Sequence, residues 1–135
     1  MARQIFVNLP VKDLRKSIEF FTKLGFTFNP QFTDDNATCM IIAENIFAML
    51  ITHPRFKDFT DKEIADAHKA VEVINALSAE SREQVDEIVN NALAGGGTEP
   101  KPVQDHGWMY IRHIHDLDGH AWEFAYMDLS KLPQA

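Results

Sequence analysis

The sequence predicts an α+β fold in which a strand–helix–three-strand unit, βαβββ, occurs twice. Two observations identify the elements: apolar alternation typical of strands, and two helices with clear start and stop signals. A third observation identifies the repeat. Leu9 and Leu77 are separated by the same offset as the predicted helix caps Asp13 and Ser81. Such regularity indicates duplication, and we expect the two units to form a curved, mostly antiparallel eight-stranded cup.

The first repeat is predicted over about residues 4–53. Asp13 is a suitable N-cap for a helix that Gly25 ends. Two apolar runs separated by Glu44-Asn45 predict a hairpin. A charged segment, residues 54–67, then predicts a linker in which Thr60 is expected to cap a short helix over 60–63. The predicted strands are residues 4–11, 26–28, 37–43 and 46–52.

The second repeat is predicted over about residues 69–127. Ser81 and Gln84 have the spacing of a capping box, in which each side chain binds an unpaired amide at the start of the helix. A run of three glycines, 95–97, ends that helix. The predicted strands are residues 71–79, a short strand before Pro100, and residues 107–115 and 120–126.

Composition excludes several classes of protein. The 135 residues are enough for a single domain, and the net charge of −7, with scattered basic residues, argues against a nucleic-acid partner. The one cysteine, Cys39, suits a reducing compartment. No apolar stretch is long enough for a signal peptide or a membrane span. We therefore expect a cytoplasmic protein with no membrane partner.

Two segments resemble one known family. Residues 7–21, continued by Leu24-Gly25-Phe26, are similar to the opening strand and helix of the vicinal-oxygen-chelate superfamily, which includes glyoxalase I, the bleomycin-resistance proteins and the extradiol dioxygenases. The resemblance covers about residues 4–127 and implies a small organic ligand and a homodimer. The second segment resembles the superfamily's turn and final strand, and reads Asp116-Leu117-Asp118-Gly119-His120-Ala121-Trp122-Glu123.

Metal enzymes of this superfamily bind a divalent ion through the first and last strand of each half. Carried over to this chain, those positions are Phe6, Leu50, Ile74 and Glu123. Only Glu123 is a metal ligand, and one carboxylate does not hold a catalytic ion alone. The resemblance therefore implies no metal at the standard site and no other cofactor. Whether the protein is an enzyme stays open.

Glu123 is the candidate catalytic residue. Without a metal it is expected to act as a general acid or base, or to be a structural carboxylate with local hydrogen bonds. In the resembled superfamily the residue three before the first Asp of the turn lines the cup; that position here is His113, so the resemblance implies that it faces the same side as Glu123, and strand parity adds His115. A displaced divalent-metal site of two histidines and a carboxylate is thus an alternative, and a polar wall without metal is another.

The candidate ligand-binding residues are polar or aromatic side chains near the predicted cup. Asn8 interrupts an apolar strand, as a ligand contact or as a structural amide. A β-bulge near Gly107 would reverse the facing of Arg112, so its side remains open; on the ligand side it would suit an anion. The full set is Asn8, His106, Trp108, Tyr110, Arg112 and His113.

Three functions are compatible with these residues. The first is a metal-free protein that binds a small molecule, in the manner of the bleomycin-resistance proteins. The alternative is a metal-dependent lyase or dioxygenase that uses the displaced site at His113, His115 and Glu123. The third is a scaffold with no small ligand.

Overall fold

The computed structural model describes residues 2–133, in two compact units: the first runs to Asp66 and the second begins at Ala67. The boundary lies at the end of the predicted linker. Each unit has the order strand, helix and three strands, which confirms the βαβββ repeat. None of the helices in the described part is long and apolar enough to cross a membrane.

The first unit contains one four-stranded sheet in the order β1-β4-β3-β2. Strand β1 runs parallel to β4, and the other pairs are antiparallel. Its elements are β1 (Ile5–Val11), α1 (Leu14–Lys23), β2 (Thr27–Asn29), a 3₁₀ turn (Pro30–Phe32), β3 (Ala37–Ala43), β4 (Ile46–Thr52) and α2 (His53–Phe56).

Helix α1 begins and ends where the sequence predicts. The Asp13 carboxylate accepts a hydrogen bond from the Lys16 amide at 3.1 Å, which satisfies one of the unpaired amides of the first turn. The chain leaves the helix through Gly25, whose φ of 100° lies in the left-handed region that favours glycine. Phe20 and Phe21 are buried on the inner side of the helix.

The second unit repeats this plan with the sheet order β5-β8-β7-β6. Strand β5 is parallel to β8, and the remaining pairs are antiparallel. Its elements are β5 (Ile74–Ser78), α3 (Arg82–Ala94), β6 (Gln104–Asp105), β7 (Met109–His115), β8 (Ala121–Met127) and a 3₁₀ turn (Leu129–Lys131).

The predicted N-cap of α3 is confirmed at Ser81, while the second bond of the predicted capping box goes to Glu80, the residue before the N-cap. The Ser81 hydroxyl accepts from the Gln84 amide at 3.0 Å. The Gln84 side chain reaches back to the amide of Glu80, at 2.6 Å, so two amides are satisfied. Val85 and Val89 are fully buried beneath the helix, which anchors α3 on the sheet.

Two local predictions are wrong. The short helix expected over residues 60–63 is absent; Thr60 instead accepts from the Lys62 amide in a local turn. The helical turn lies earlier, at α2, where Pro54 occupies a first-turn position that needs no amide donor. The short strand lies after Pro102 rather than before Pro100, and Thr98 makes only an isolated bridge.

Each sheet has two faces that the register defines. In the second unit Tyr110 and Arg112 bond to Asp86 of α3, so their side is called the α3 face and the opposite side the far face. In the second unit Leu77 pairs with Phe124, which pairs with Arg112, so Leu77 lies on the α3 face. Leu9 is the counterpart of Leu77 in the first unit. The side of Leu9 is accordingly called the α1 face, and the opposite side is the far face of that unit.

Candidate functional site

Glu123 stands on the far face of the second unit with small neighbours around it. The β5 residue paired with it is Ala76, and the residues two positions away along β8 are Ala121 and Ala125. The fourth neighbour is His113, directly opposite on β7. Three of these four neighbours end at a methyl group, and the Glu123 side chain is 23% exposed.

His113 points its imidazole at that carboxylate. Its Nε2 lies 3.6 Å from Oε2 of Glu123, a distance that gives an ion pair when the ring is protonated. The side chain is 16% exposed, and the structure of residues 2–133 shows no hydrogen-bond partner for its buried Nδ1. A buried nitrogen without a partner destabilises a fold by about 1–3 kcal/mol. Nδ1 of His113 is therefore a polar atom near the Glu123 carboxylate that makes no hydrogen bond to the described part of the chain.

His115 shares the far face with His113 and Glu123. It pairs with Ala121, two residues along β7 from His113. Within residues 2–133, no three His, Cys, Asp or Glu side chains are grouped so that they could hold a metal ion. The displaced site at His113, His115 and Glu123 stays a prediction.

The four positions carried over for the standard metal site need one correction. Asn8 and Ala76 are counterparts in the two repeats, one residue before Leu9 and Leu77. Ala76 pairs with Glu123 in the second unit, and Asn8 pairs with Met49 in the first. Met49 is therefore the counterpart of Glu123. Leu50 instead pairs with Leu9 and is fully buried on the α1 face.

The corrected set does not fit a divalent metal. Phe6 and Ile74 offer no donor atom, and the Met49 thioether suits soft ions rather than the hard or borderline ions of such sites. Glu123 remains the single suitable ligand of the four.

Tyr110 and Arg112 lie on the α3 face, away from Glu123. Nε and Nη2 of Arg112 donate to both oxygens of Glu99, at 2.8 and 2.9 Å. Asp86 accepts from Nη1 of Arg112 at 3.0 Å and from the Tyr110 hydroxyl at 2.7 Å. These bonds raise the pKa of Arg112, and Arg112 lowers the pKa of Glu99. Tyr110 and Arg112 therefore lie outside the candidate site around Glu123.

Sequence reasoning missed the partners of Arg112. These partners are Glu99 and Asp86, together with Asn90 at 3.2 Å. Asp86 and Asn90 are four residues apart on α3 and so share one face of the helix, a spacing that could have indicated a common partner.

The loop that carries His106 and Trp108 is held by an arginine. Arg82 donates to both Asp105 oxygens, at 2.6 and 2.9 Å, and to the Gly107 carbonyl at 3.0 Å. These contacts, together with the Gly107 amide, lower the pKa of Asp105 to about 2. His106 is exposed and Trp108 is half-buried, and neither is a strand neighbour of Glu123. Their role in ligand binding stays a prediction.

Asn8 is exposed on the far face of the first unit. Its Nδ2 donates to the backbone oxygen of Phe6, two residues earlier, at 2.9 Å. This local bond gives the amide a structural role, and the predicted ligand contact stays untested.

Comparison with known proteins gives matches over nearly the whole chain. Residues 3–43 match the family described as bleomycin resistance protein-like N-terminal. A hypothetical protein from S. aureus is 29% identical, with 93% of this chain and 95% of that one covered and a TM-score of 0.78. The functionally curated proteins gave no sequence match.

Two further solved structures carry family names. A glyoxalase/bleomycin resistance protein/dioxygenase family enzyme from Burkholderia phytofirmans has a TM-score of 0.76 at 15% identity, with 93% and 99% of the two chains covered. A fosfomycin resistance protein from Listeria monocytogenes has a TM-score of 0.68 at 19% identity, with 96% and 97% covered. The chain shares the fold of these proteins, which supports the resemblance of its sequence to the vicinal-oxygen-chelate superfamily.

The turn that carried the resemblance has a clear structural role. One oxygen of Asp116 accepts from the amides of Asp118 and His120, and the other accepts from the Trp122 indole at 2.9 Å. Burial raises the pKa of Asp116. Gly119 adopts a φ of 84°. The turn thus positions the start of β8, and with it Glu123.

Proposed function

We propose that this protein binds a small organic molecule on the far face of its second unit, without the standard metal site. The observation that carries the proposal is the setting of Glu123. Its carboxylate faces His113, and its other strand neighbours are Ala76, Ala121 and Ala125. A ligand pocket needs a few polar groups in an otherwise apolar surface, and this part of the sheet has that composition.

The matched proteins support the same class of ligand. The family description refers to bleomycin resistance and one structural neighbour to fosfomycin resistance. Both names refer to small organic molecules. The three apolar counterparts of Glu123 at the standard metal positions favour binding that does not depend on a metal. If the bound molecule reacts, Glu123 is the group we expect to act as general acid or base.

The metal question is tested first. Tag-free protein is analysed for metal content as isolated, and again after exposure to zinc, nickel, manganese or ferrous iron followed by desalting. We expect less than about one tenth of an ion per chain, and no change of melting temperature on adding a chelator. Near-stoichiometric metal that is lost in a Glu123→Gln variant would contradict the proposal and favour the metal-dependent lyase or dioxygenase.

Ligand binding is tested by melting-temperature shifts in a library of small organic compounds. A compound at a hundred times its dissociation constant stabilises the fold by about 2.7 kcal/mol. We expect hits whose shift is lost in Glu123→Gln and kept in Glu87→Gln, which removes an exposed carboxylate from α3. A broad library without hits, or hits that are equally strong in Glu123→Gln, would refute the site.

Two further predictions about this protein remain open. The homodimer implied by the resemblance is checked by light scattering during size-exclusion chromatography. The cytoplasmic location predicted from the sequence is checked by cell fractionation.

A further inference from the structure

A turn in the second unit is buried under another segment of the chain. Among residues 2–133, the glycines with a positive φ are Gly25, Gly96, Gly107 and Gly119, and of these Gly119 alone is buried. Turns and loops normally run over the protein surface, where water reaches them. The burial of Gly119 therefore requires a covering segment.

The covering segment is the peptide bond between Ala67 and His68. A Cβ on Gly119 would lie 2.7 Å from the amide nitrogen of His68 and 2.8 Å from the carbonyl carbon of Ala67. It would also lie 2.8 Å from Nδ1 of the His68 ring. A side chain does not fit at such distances, so the segment rests directly on the glycine backbone. All three residues belong to the second unit, and the contact is internal to it.

The same segment is attached a second time, where β5 begins. Ile74 pairs with Ala121 at the start of β8, two residues beyond Gly119. Between the two attachments, residues 69–73 are all exposed. The segment 67–73 is therefore held at its ends, and its middle is largely open to water.

We propose that residues 67–73 form a strap that closes over the turn at Gly119 and limits how often this turn opens. A segment with an exposed middle and few buried contacts belongs to the least stable parts of a fold, so it can lift without global unfolding. The turn beneath contains the amides of Asp118, Gly119 and His120, all of which donate to Asp116. These amides exchange with solvent when the turn opens, and the seated strap opposes that opening.

The strap also affects the candidate site, because the turn leads directly into β8. His113 and Glu123 form the third pair of the β7–β8 ladder, counted from the turn. A seated strap therefore holds the end of the hairpin that carries this pair. The consequence for ligand binding rests on the proposed function, whereas the strap itself is tested in the ligand-free protein and can fail or succeed independently.

Hydrogen exchange of the turn amides, followed by NMR, tests the strap from its own side. His68→Pro attaches a ring carbon to the nitrogen that lies against Gly119, and we expect it to unseat the strap. The amides of Asp118 and His120 should then exchange at least about tenfold faster than in the wild type. The matched control is Ala70→Pro in the exposed middle of the strap, which should change these rates less than about twofold.

The reciprocal experiment changes the turn and observes the strap. Gly119→Ala places a methyl group where the strap lies, at a φ of 84°. Gly107→Ala adds the same group at a φ of 81°, with nothing within 4 Å. Backbone strain is thus similar in the two variants, and the close contact differs. Heteronuclear NOE values of residues 67–73 are expected to fall in Gly119→Ala and to keep their wild-type level in Gly107→Ala.

Two results would overturn the proposal from the strap side. One is a folded His68→Pro variant whose turn amides exchange at the wild-type rate. The other is equally faster exchange at the core amides of β8, because the whole fold would then be destabilised rather than the turn. Circular dichroism shows whether each variant is folded.

From the turn side, an equal loss of order in the strap of Gly107→Ala and Gly119→Ala would overturn the proposal. Backbone strain, and not the contact at Gly119, would then be the cause. Because His68→Pro and Gly119→Ala change opposite sides of one contact, either variant decides the matter if the other does not fold.

Discussion

Replacing Arg112 by methionine is expected to destabilise the protein strongly. Arg112 is 10% exposed, and all three of its guanidinium nitrogens donate hydrogen bonds, two of them to Glu99. Methionine retains the apolar stem of the side chain but leaves the carboxylates of Glu99 and Asp86 without their cation.

The size of the effect follows from burial. Breaking a fully buried ion pair costs about 3–5 kcal/mol. Glu99 is 20% exposed and Asp86 42%, so water compensates part of the loss, above all at Asp86. We therefore expect Arg112→Met to lower the free energy of unfolding by about 3 kcal/mol. For a chain of this length, that corresponds to a fall of roughly 10 °C in melting temperature.

The assay is urea unfolding followed by circular dichroism at several pH values. The control is Arg55→Met, which removes an exposed ion pair with Asp58 and is expected to cost less than about 1 kcal/mol. A loss for Arg112→Met no larger than that of the control would refute the reasoning.

The pH dependence gives a second check. Arg112 lowers the pKa of Glu99 in the folded state, so the pair stabilises the fold above the unfolded pKa and loses this contribution as pH falls through the folded pKa. The stability difference between wild type and Arg112→Met is therefore expected to shrink below about pH 4.5. An unchanged difference there would show that Glu99 is not the partner that matters.

Four further variants test the turns and caps. Gly119→Ala should lower the free energy of unfolding by at least about 2 kcal/mol, because its Cβ would lie 2.8 Å or less from backbone atoms of Ala67 and His68. At Gly25 a Cβ would meet nothing within 4 Å, so Gly25→Ala should lower it by only about 1 kcal/mol. Asp116→Asn should cost about 2 kcal/mol, because one carboxylate oxygen that accepts a hydrogen bond becomes an NH₂ group. Ser81→Ala should cost about 1 kcal/mol through the lost N-cap. Urea unfolding measures all four, and equal effects for the two glycines would contradict the steric argument.

Much of the fold was predictable because its signals are local. The caps Asp13 and Ser81 lie within three residues of the amides that they bind, so the sequence alone identified both helices. The hairpin formed by residues 37–43 and 46–52 is matched residue for residue, because its turn separates two apolar runs. The resemblance predicted that His113 shares a face with Glu123, and in the structure the two residues are directly opposite, since β7 and β8 pair without a register shift.

Predictions that depended on distant residues were less successful. The partners of Arg112 lie 13 to 26 positions away in the chain, on a helix and after a glycine run, and local patterns do not specify that geometry. The counterpart of Glu123 was misplaced by one residue, at Leu50 rather than Met49. Because side chains alternate between faces with a period of two, that single step moved the position from the far face to the buried face.

The corrected register shows that the two halves use the same positions differently. Around Glu123 the neighbours on the strands are small, and a carboxylate and an imidazole remain partly accessible. Around Met49 the neighbours are Asn8, Cys39 and Phe47, all larger than alanine. The second unit therefore presents a carboxylate and an imidazole at these positions, whereas the first unit presents the exposed ring of Phe6. The two halves of the duplicated fold thus differ in chemistry at corresponding positions.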